Sequence, residues 1–232
     1  MVIVALVIGL LPGFAWLVFY LGEEPHPEPK RFVALTFIVG IAFGFFTIGI
    51  EELFNTAAGS IGIQELSLIS LLTLALIEEL MKFAAAHFVI AKNTEFAEPV
   101  DAMIYMVVAA LGFATLENIG AVANIAVSGS QTAVIASVFQ TVSLRFVGAT
   151  LLHSLTSAII GYYWALGLAR KKGMRYLIPG FAAATIVHTT FNYLVLNYGD
   201  VAYAVIFLMV IGFFVLHDFE KLKEQPAAVS AS

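Results

Sequence analysis

The sequence contains no cysteine. That excludes disulfides, thiolate nucleophiles and cysteine-based metal sites, so any metal must be held by histidine and carboxylate groups. Charge is scarce as well: 12% of the 232 residues are charged and 61% are hydrophobic, with a mean hydropathy of +0.96. A soluble domain of this length does not need so much apolar material to fill its core. Apart from Lys82, the basic residues cluster in short connections and form no broad cationic surface, which argues against nucleic-acid binding. What remains is a single membrane-embedded helical domain over residues 1–224, followed by a polar tail, 225–232, expected to be disordered.

The N-terminal run lacks a basic leader and stays apolar for about twenty residues, so it reads as a first membrane span and not as a signal peptide. Pro12 and Gly13 are expected to bend it. Apolar runs able to cross about 30 Å of hydrocarbon occupy residues 2–21, 32–50, 66–91, 100–125, 145–169, 175–197 and 201–217. The stretch 128–143 is too long for a simple turn and has the composition of a short helix lying at the interface. Lys30, Arg31, Lys92, Arg170, Lys171, Lys172, Arg175, Lys221 and Lys223 all fall on one side of this alternation, and only Arg145 falls on the other. Because basic residues favour cytoplasmic connections, this predicts an all-α polytopic bundle of about seven transmembrane helices, N-terminus outside and C-terminus cytoplasmic, in the cell membrane.

Against that background, ionisable groups deep inside spans need a reason, since each costs several kcal/mol unless it faces the bundle interior or water. The third span carries Glu78, Glu79 and Lys82, the fourth Glu117, the fifth His153 and the sixth His188. Glu78 and Lys82 are four residues apart, as are Phe113 and Glu117, His153 and Ser157, and His188 and Asn192, so each helix presents a polar stripe. At about 1.5 Å of rise per residue, Glu117, His153 and His188 lie roughly 13 to 16 Å below the outer surface and Glu78 roughly 20 Å, levels at which side chains from different helices can meet. Glu51 and Glu52 repeat the paired glutamates of the third span, but at the outer end of the second, where solvated charge is expected. His26, His87 and His217 lie at or near helix ends and are left out of the site.

In order along the chain these residues spell EExxK (Glu78, Glu79, Lys82), FxxxE (Phe113, Glu117), HxxxxxxxG (His153, Gly161) and HxxxN (His188, Asn192). The set resembles the PrsW family of intramembrane proteases, related to the type II CAAX prenyl endopeptidases, whose corresponding pattern has EExxxR, FxxxH and HxxxN. The motifs span the 115 residues from Glu78 to Asn192 and define a motif-bearing core over 64–197. One position departs from the pattern: a tyrosine often follows the glutamate of the second motif by four residues, and here that place is Ala121. The resemblance implies cleavage of a membrane-anchored protein such as an anti-sigma factor, on its extracytoplasmic side.

Peptide hydrolysis requires an activated water, a base and a donor for the developing oxyanion. Glu78 or Glu79 is the expected base, with Lys82 stabilising the carboxylate, and Asn192 or a free histidine the oxyanion donor. Glu117, His153 and His188 form a His2Glu set suited to a divalent metal, zinc by preference, with a position left open for water. In a metal-free variant the same three residues orient the water directly. The competing classes are a transporter or proton relay built on the same buried cluster, for which no inverted repeat is visible, and a membrane protein without catalytic activity. A retinal-binding photoreceptor is excluded, because the last span has no lysine to carry the chromophore.

Overall fold

The structure is a computed structural model that describes residues 2–23, 28–90, 98–128, 131–170, 173–198 and 201–224. The polar tail, His26, Lys92, Lys171 and Lys172 lie outside the described residues. Eight α-helices and no strand are found among the described residues: α1 (Val2–Gly22), α2 (Lys30–Ser60), α3 (Leu68–Ile90), α4 (Pro99–Ser128), α5 (Gln131–Val147), α6 (Ala149–Ala169), α7 (Leu177–Tyr198) and α8 (Val201–Lys223). A single 3-10 turn, Gly173–Tyr176, leads into α7. Seven of the helices correspond to the expected spans, and α5 occupies the stretch assigned to an interfacial helix.

Two boundaries move furthest. The expected fifth span, 145–169, is divided at Gly148, so that Arg145 ends α5 and His153 belongs to α6. The second helix continues ten residues past its expected end at residue 50, because a helix can leave the hydrocarbon layer without breaking. It stops only where the Ile63 amide bonds back to the Ala58 carbonyl (2.9 Å) and Gly62 adopts a φ of 80°, a conformation open to glycine. Four stretches are long and apolar enough to cross a bilayer, 30–60, 99–125, 134–169 and 201–223. Three charged residues at the centre of α3 and the hydroxyls, histidine and asparagines of α7 keep those helices from the same standard.

α4 is the axis of the bundle. Every residue from 99 to 115 is buried, and α1, α2 and α6 pack directly on it. Small residues permit the close crossings. A Cβ on Gly112 would lie 2.1 Å from the Phe37 carbonyl oxygen of α2. One on Gly161, the glycine of the third motif, would lie 2.6 Å from Met103 Cα of α4. That motif glycine therefore sets the α4–α6 distance, and with it how far His153 stands from Glu117. The polarity of the bundle is inside-out relative to a soluble protein: Phe45, Phe46, Phe88, Phe213 and Phe214 point outward, while Glu79, Lys82, Asn118, His153, Thr156 and His188 are buried.

Candidate active site

Five helices deliver polar side chains to one point. On α3, Glu79 and Lys82 are fully buried and lie one turn apart, with the Lys82 ammonium 2.9 Å from Glu79 Oε1 and 3.4 Å from Glu78 Oε2. The two glutamates differ sharply in their surroundings. Glu79 Oε1 also receives His188 Nδ1 from α7 at 2.7 Å and the Thr156 hydroxyl from α6 at 3.0 Å. Glu78 Oε2 and Glu79 Oε2 are both buried without a hydrogen-bond partner, but only Glu78 Oε2 stands near both histidines, 3.7 Å from His153 Nδ1 and 3.8 Å from His188 Nε2. In low dielectric an unbonded carboxylate oxygen is costly, and sites that tolerate one are commonly those awaiting a ligand or a proton.

The histidines show which of their nitrogens are available. An ionised carboxylate can only accept, so the ring nitrogen facing it carries the proton, and the other nitrogen of a neutral imidazole keeps its lone pair. His188 thus donates from Nδ1 to Glu79 and turns Nε2 towards Glu78, 3.8 Å from Oε2. His153 donates from Nε2 to Glu117 Oε2 at 3.0 Å and turns Nδ1 inward, 3.7 Å from Glu78 Oε2 and 2.6 Å from the Lys82 ammonium. The two rings meet edge to face with centroids 5.3 Å apart. Phe113, the aromatic residue of the second motif, walls this point: its ring lies 5.0 Å below the Lys82 ammonium and 5.7 Å from the His153 ring.

Donor atoms of Glu78, His153 and His188 all lie within 4.8 Å of one another, and this is the only such group of three or more histidine and carboxylate residues among the described residues. The set differs from the expected Glu117, His153 and His188 in its carboxylate. The physical reason is that Glu117 Oε2 already holds His153 Nε2 and the Arg145 guanidinium (2.8 Å), on the far side of the imidazole ring. The group fits a divalent metal. Ligands about 2.0–2.2 Å from a tetrahedral zinc lie about 3.4 Å apart, close to the separations seen here. Each histidine also has its distal nitrogen fixed by a carboxylate, the usual outer support of a metal-binding imidazole. The Lys82 ammonium donates to that same His153 Nδ1 at 2.6 Å and to Glu79 Oε1 at 2.9 Å.

Exposure identifies the open side. The side chains of Glu79, Lys82, His153 and His188 are at most 3% exposed, whereas Glu78 is 13%, Arg145 22% and Glu117 34% exposed. Glu117 also lines a cleft of about 370 Å³ between α2 and α4, together with Gly44, Thr47, Phe113 and Gly120. Glu51 stands in the same cleft and is half-buried, not solvated as expected, whereas Glu52 is exposed as expected. Asn192 lies one turn beyond His188, is half-buried, and makes no side-chain hydrogen bond among the described residues.

A family model, described as PrsW family intramembrane metalloprotease, matches residues 28–217. The chain belongs to the PrsW family. It is accordingly an intramembrane peptidase. It is similar to the Protease PrsW of Geobacillus kaustophilus (strain HTA426), with 32% identity over 190 residues covering 81% of this chain and 78% of that one. The Protease PrsW of Bacillus subtilis (strain 168) is 27% identical over 213 residues, 87% of each chain. That of Oceanobacillus iheyensis is 27% identical over 207 residues, 79% of this chain and 86% of the other. No solved structure matches. The PrsW motifs thus bring together Glu78, Glu79, Lys82, Phe113, Glu117, His153 and His188. Sequence reasoning passed over Arg145, Asn118 and Thr156. The first of these did leave a signal, as the single basic residue on the wrong side of the charge alternation.

Proposed function

We propose that this PrsW family member is a cell-membrane endopeptidase that cuts membrane-anchored proteins, with Glu78, His153 and His188 as its water-activating group. The observation that supports this most strongly is the unbonded, buried Oε2 of Glu78, faced by the lone-pair nitrogens of both histidines. The basic residues of the connections support an N-terminus outside and a cytoplasmic C-terminus. An anchored anti-sigma factor is the type of substrate that the family resemblance suggests.

A divalent ion, with zinc the best suited to this donor set, would be held by Glu78, His153 and His188 and would supply a Lewis acid that acidifies a water and polarises the scissile carbonyl. The chain's own groups do the rest. Glu78 takes the proton of the attacking water, since it is the partly exposed member of the pair and the one near both histidines, whereas Glu79 is fully buried and holds Lys82, Thr156 and His188. Glu79 and Glu117 keep the two imidazoles in the tautomers that turn lone pairs inward. Lys82 supplies the positive charge that balances the glutamates in a dry interior. The free amide of Asn192 donates to the oxyanion. The substrate chain enters from the cleft between α2 and α4, where the polar groups of the site come to the surface and Gly120 leaves open space.

Cleavage of a single-span protein by the purified enzyme in liposomes tests this reading. The wild type should cut, and Glu78→Ala and His188→Ala should not, although both remain folded in detergent. Ion or proton flux without any cleavage would favour the transporter class instead.

A further inference from the structure

We infer that Arg145 is a positioning residue of this site, acting on His153 through Glu117. The assignment rests on the reading of His153 as a member of the water-activating group. The Arg145 guanidinium reaches from the last turn of α5 to two adjacent residues of α4: Nη2 donates to Glu117 Oε2 at 2.8 Å, and Nε donates to Asn118 Oδ1. Asn118 is itself anchored to α6, its amide donating to Thr150 Oγ1 at 3.0 Å. Glu117 Oε2 is the oxygen that accepts from His153 Nε2. One guanidinium therefore fixes the carboxylate that fixes the imidazole.

The need for such a clamp follows from exposure. Glu79, which performs the same service for His188, is fully buried and held by Lys82 and Thr156 as well. Glu117 is the most exposed carboxylate of the cluster, at the edge of the α2–α4 cleft, and among the described residues no lysine or hydroxyl is bonded to it. Without Arg145 its side chain is free to turn into the cleft. His153 then loses the acceptor that fixes its ring at Nε2 and is held only by the Lys82 ammonium at Nδ1, so its inward lone pair is no longer aimed by two contacts.

The location of Arg145 is built in by the packing of α5. Val134, Val138 and Val142 bury one face of the helix against Val122 of α4, with Ile8 of α1 and Ile125 of α4 alongside. Trp16 of α1 stacks on Phe146 with centroids 5.2 Å apart and donates its indole N–H to the Phe146 carbonyl at 2.8 Å. The neighbour of Arg145 in the chain is thus pinned from the opposite side. This also accounts for a basic residue on the side where the charge alternation allows none.

The test is the hydrogen bond from His153 Nε2 to Glu117, read from the 1H and 15N shifts of histidine-labelled, metal-free protein in detergent at mildly alkaline pH and assigned with His153→Gln. In the wild type, His153 should be protonated at Nε2. In Arg145→Gln the Nε2–H signal of His153 should move upfield or be lost to solvent exchange as its acceptor is released, while His188, held by Glu79, keeps its wild-type signal. Arg145→Lys, which retains a cation beside Glu117, should restore most of the wild-type pattern. An unchanged His153 signal in Arg145→Gln overturns the assignment. So does a shift of both histidines together, which would mark a general structural role. Because the readout needs neither metal nor cleavage, it separates this assignment from the proposed protease mechanism. A dependent readout is metal affinity, expected to fall about 10–100-fold in Arg145→Gln. It should fall no further when that change is added to Glu117→Gln.

Discussion

The two neighbouring glutamates of α3 should fail in different ways when each is changed to glutamine. Glu79 is fully buried, and its Oε1 accepts from Lys82, His188 and Thr156 at 2.9, 2.7 and 3.0 Å. Glutamine keeps an acceptor oxygen but removes the charge that balances the buried ammonium. Losing one partner of a buried ion pair costs roughly 3–5 kcal/mol, so Glu79→Gln should unfold at markedly lower temperature. Glu78 has an Oε2 that bonds to nothing and stands 3.4 Å from a lysine that Glu79 already holds more closely. Its replacement should cost about 1 kcal/mol or less, yet remove the proton acceptor and lower the cleavage rate about 10²–10⁴-fold. Thermal unfolding followed by the fluorescence of the two tryptophans, Trp16 and Trp164, gives one axis, and cleavage of a single-span substrate in liposomes gives the other. A Glu78→Gln enzyme that cuts normally, or a Glu79→Gln enzyme as stable as the wild type, would refute the division of roles.

Asn192→Ala should lower kcat about 10²–10³-fold with little change in KM, the signature of a donor used only as the oxyanion forms; an equal loss through KM alone would place Asn192 in substrate binding. The absence of cysteine makes topology easy to read. A cysteine at exposed Ser60, the last residue of α2 and on the side the basic residues assign to the outside, should react with a membrane-impermeant maleimide in intact cells, and one at exposed Arg175 only after lysis. The reverse labelling pattern would invert the orientation.

The seven spans were legible because continuous apolar runs have no other use at this density. The motif residues were legible as a group, because a buried charge is expensive enough to stand out in isolation: Glu78, Glu79, Lys82, Glu117, His153 and His188 do meet. Their division of labour was not. Helical spacing places Glu78 and Glu117 both within reach of the histidines, and only the contact of Arg145 with Glu117 shows which carboxylate is already engaged. The stretch 128–143 was read as holding a short interfacial helix because it is too long for a simple turn, and α5 fills it and runs on to Val147. Its inserted arginine could be seen only as an exception to a charge count. Glu51 was misplaced because the end of hydrocarbon and the end of a helix are different boundaries, and α2 runs through one to reach the other. Asn118 and Thr156 could not be singled out, since isolated amides and hydroxyls occur in any bundle and only their partners give them meaning.

The central claim is that Glu78, His153 and His188 form a metal-dependent water-activating group. The measurement that tests it most directly is the cleavage rate of a single-span substrate by the liposome-embedded enzyme before and after treatment with a strong chelator, with metal content determined on the same samples. The account predicts that cleavage falls with the loss of a bound divalent ion and returns when zinc is restored. Undiminished cleavage by protein that contains no metal would contradict it.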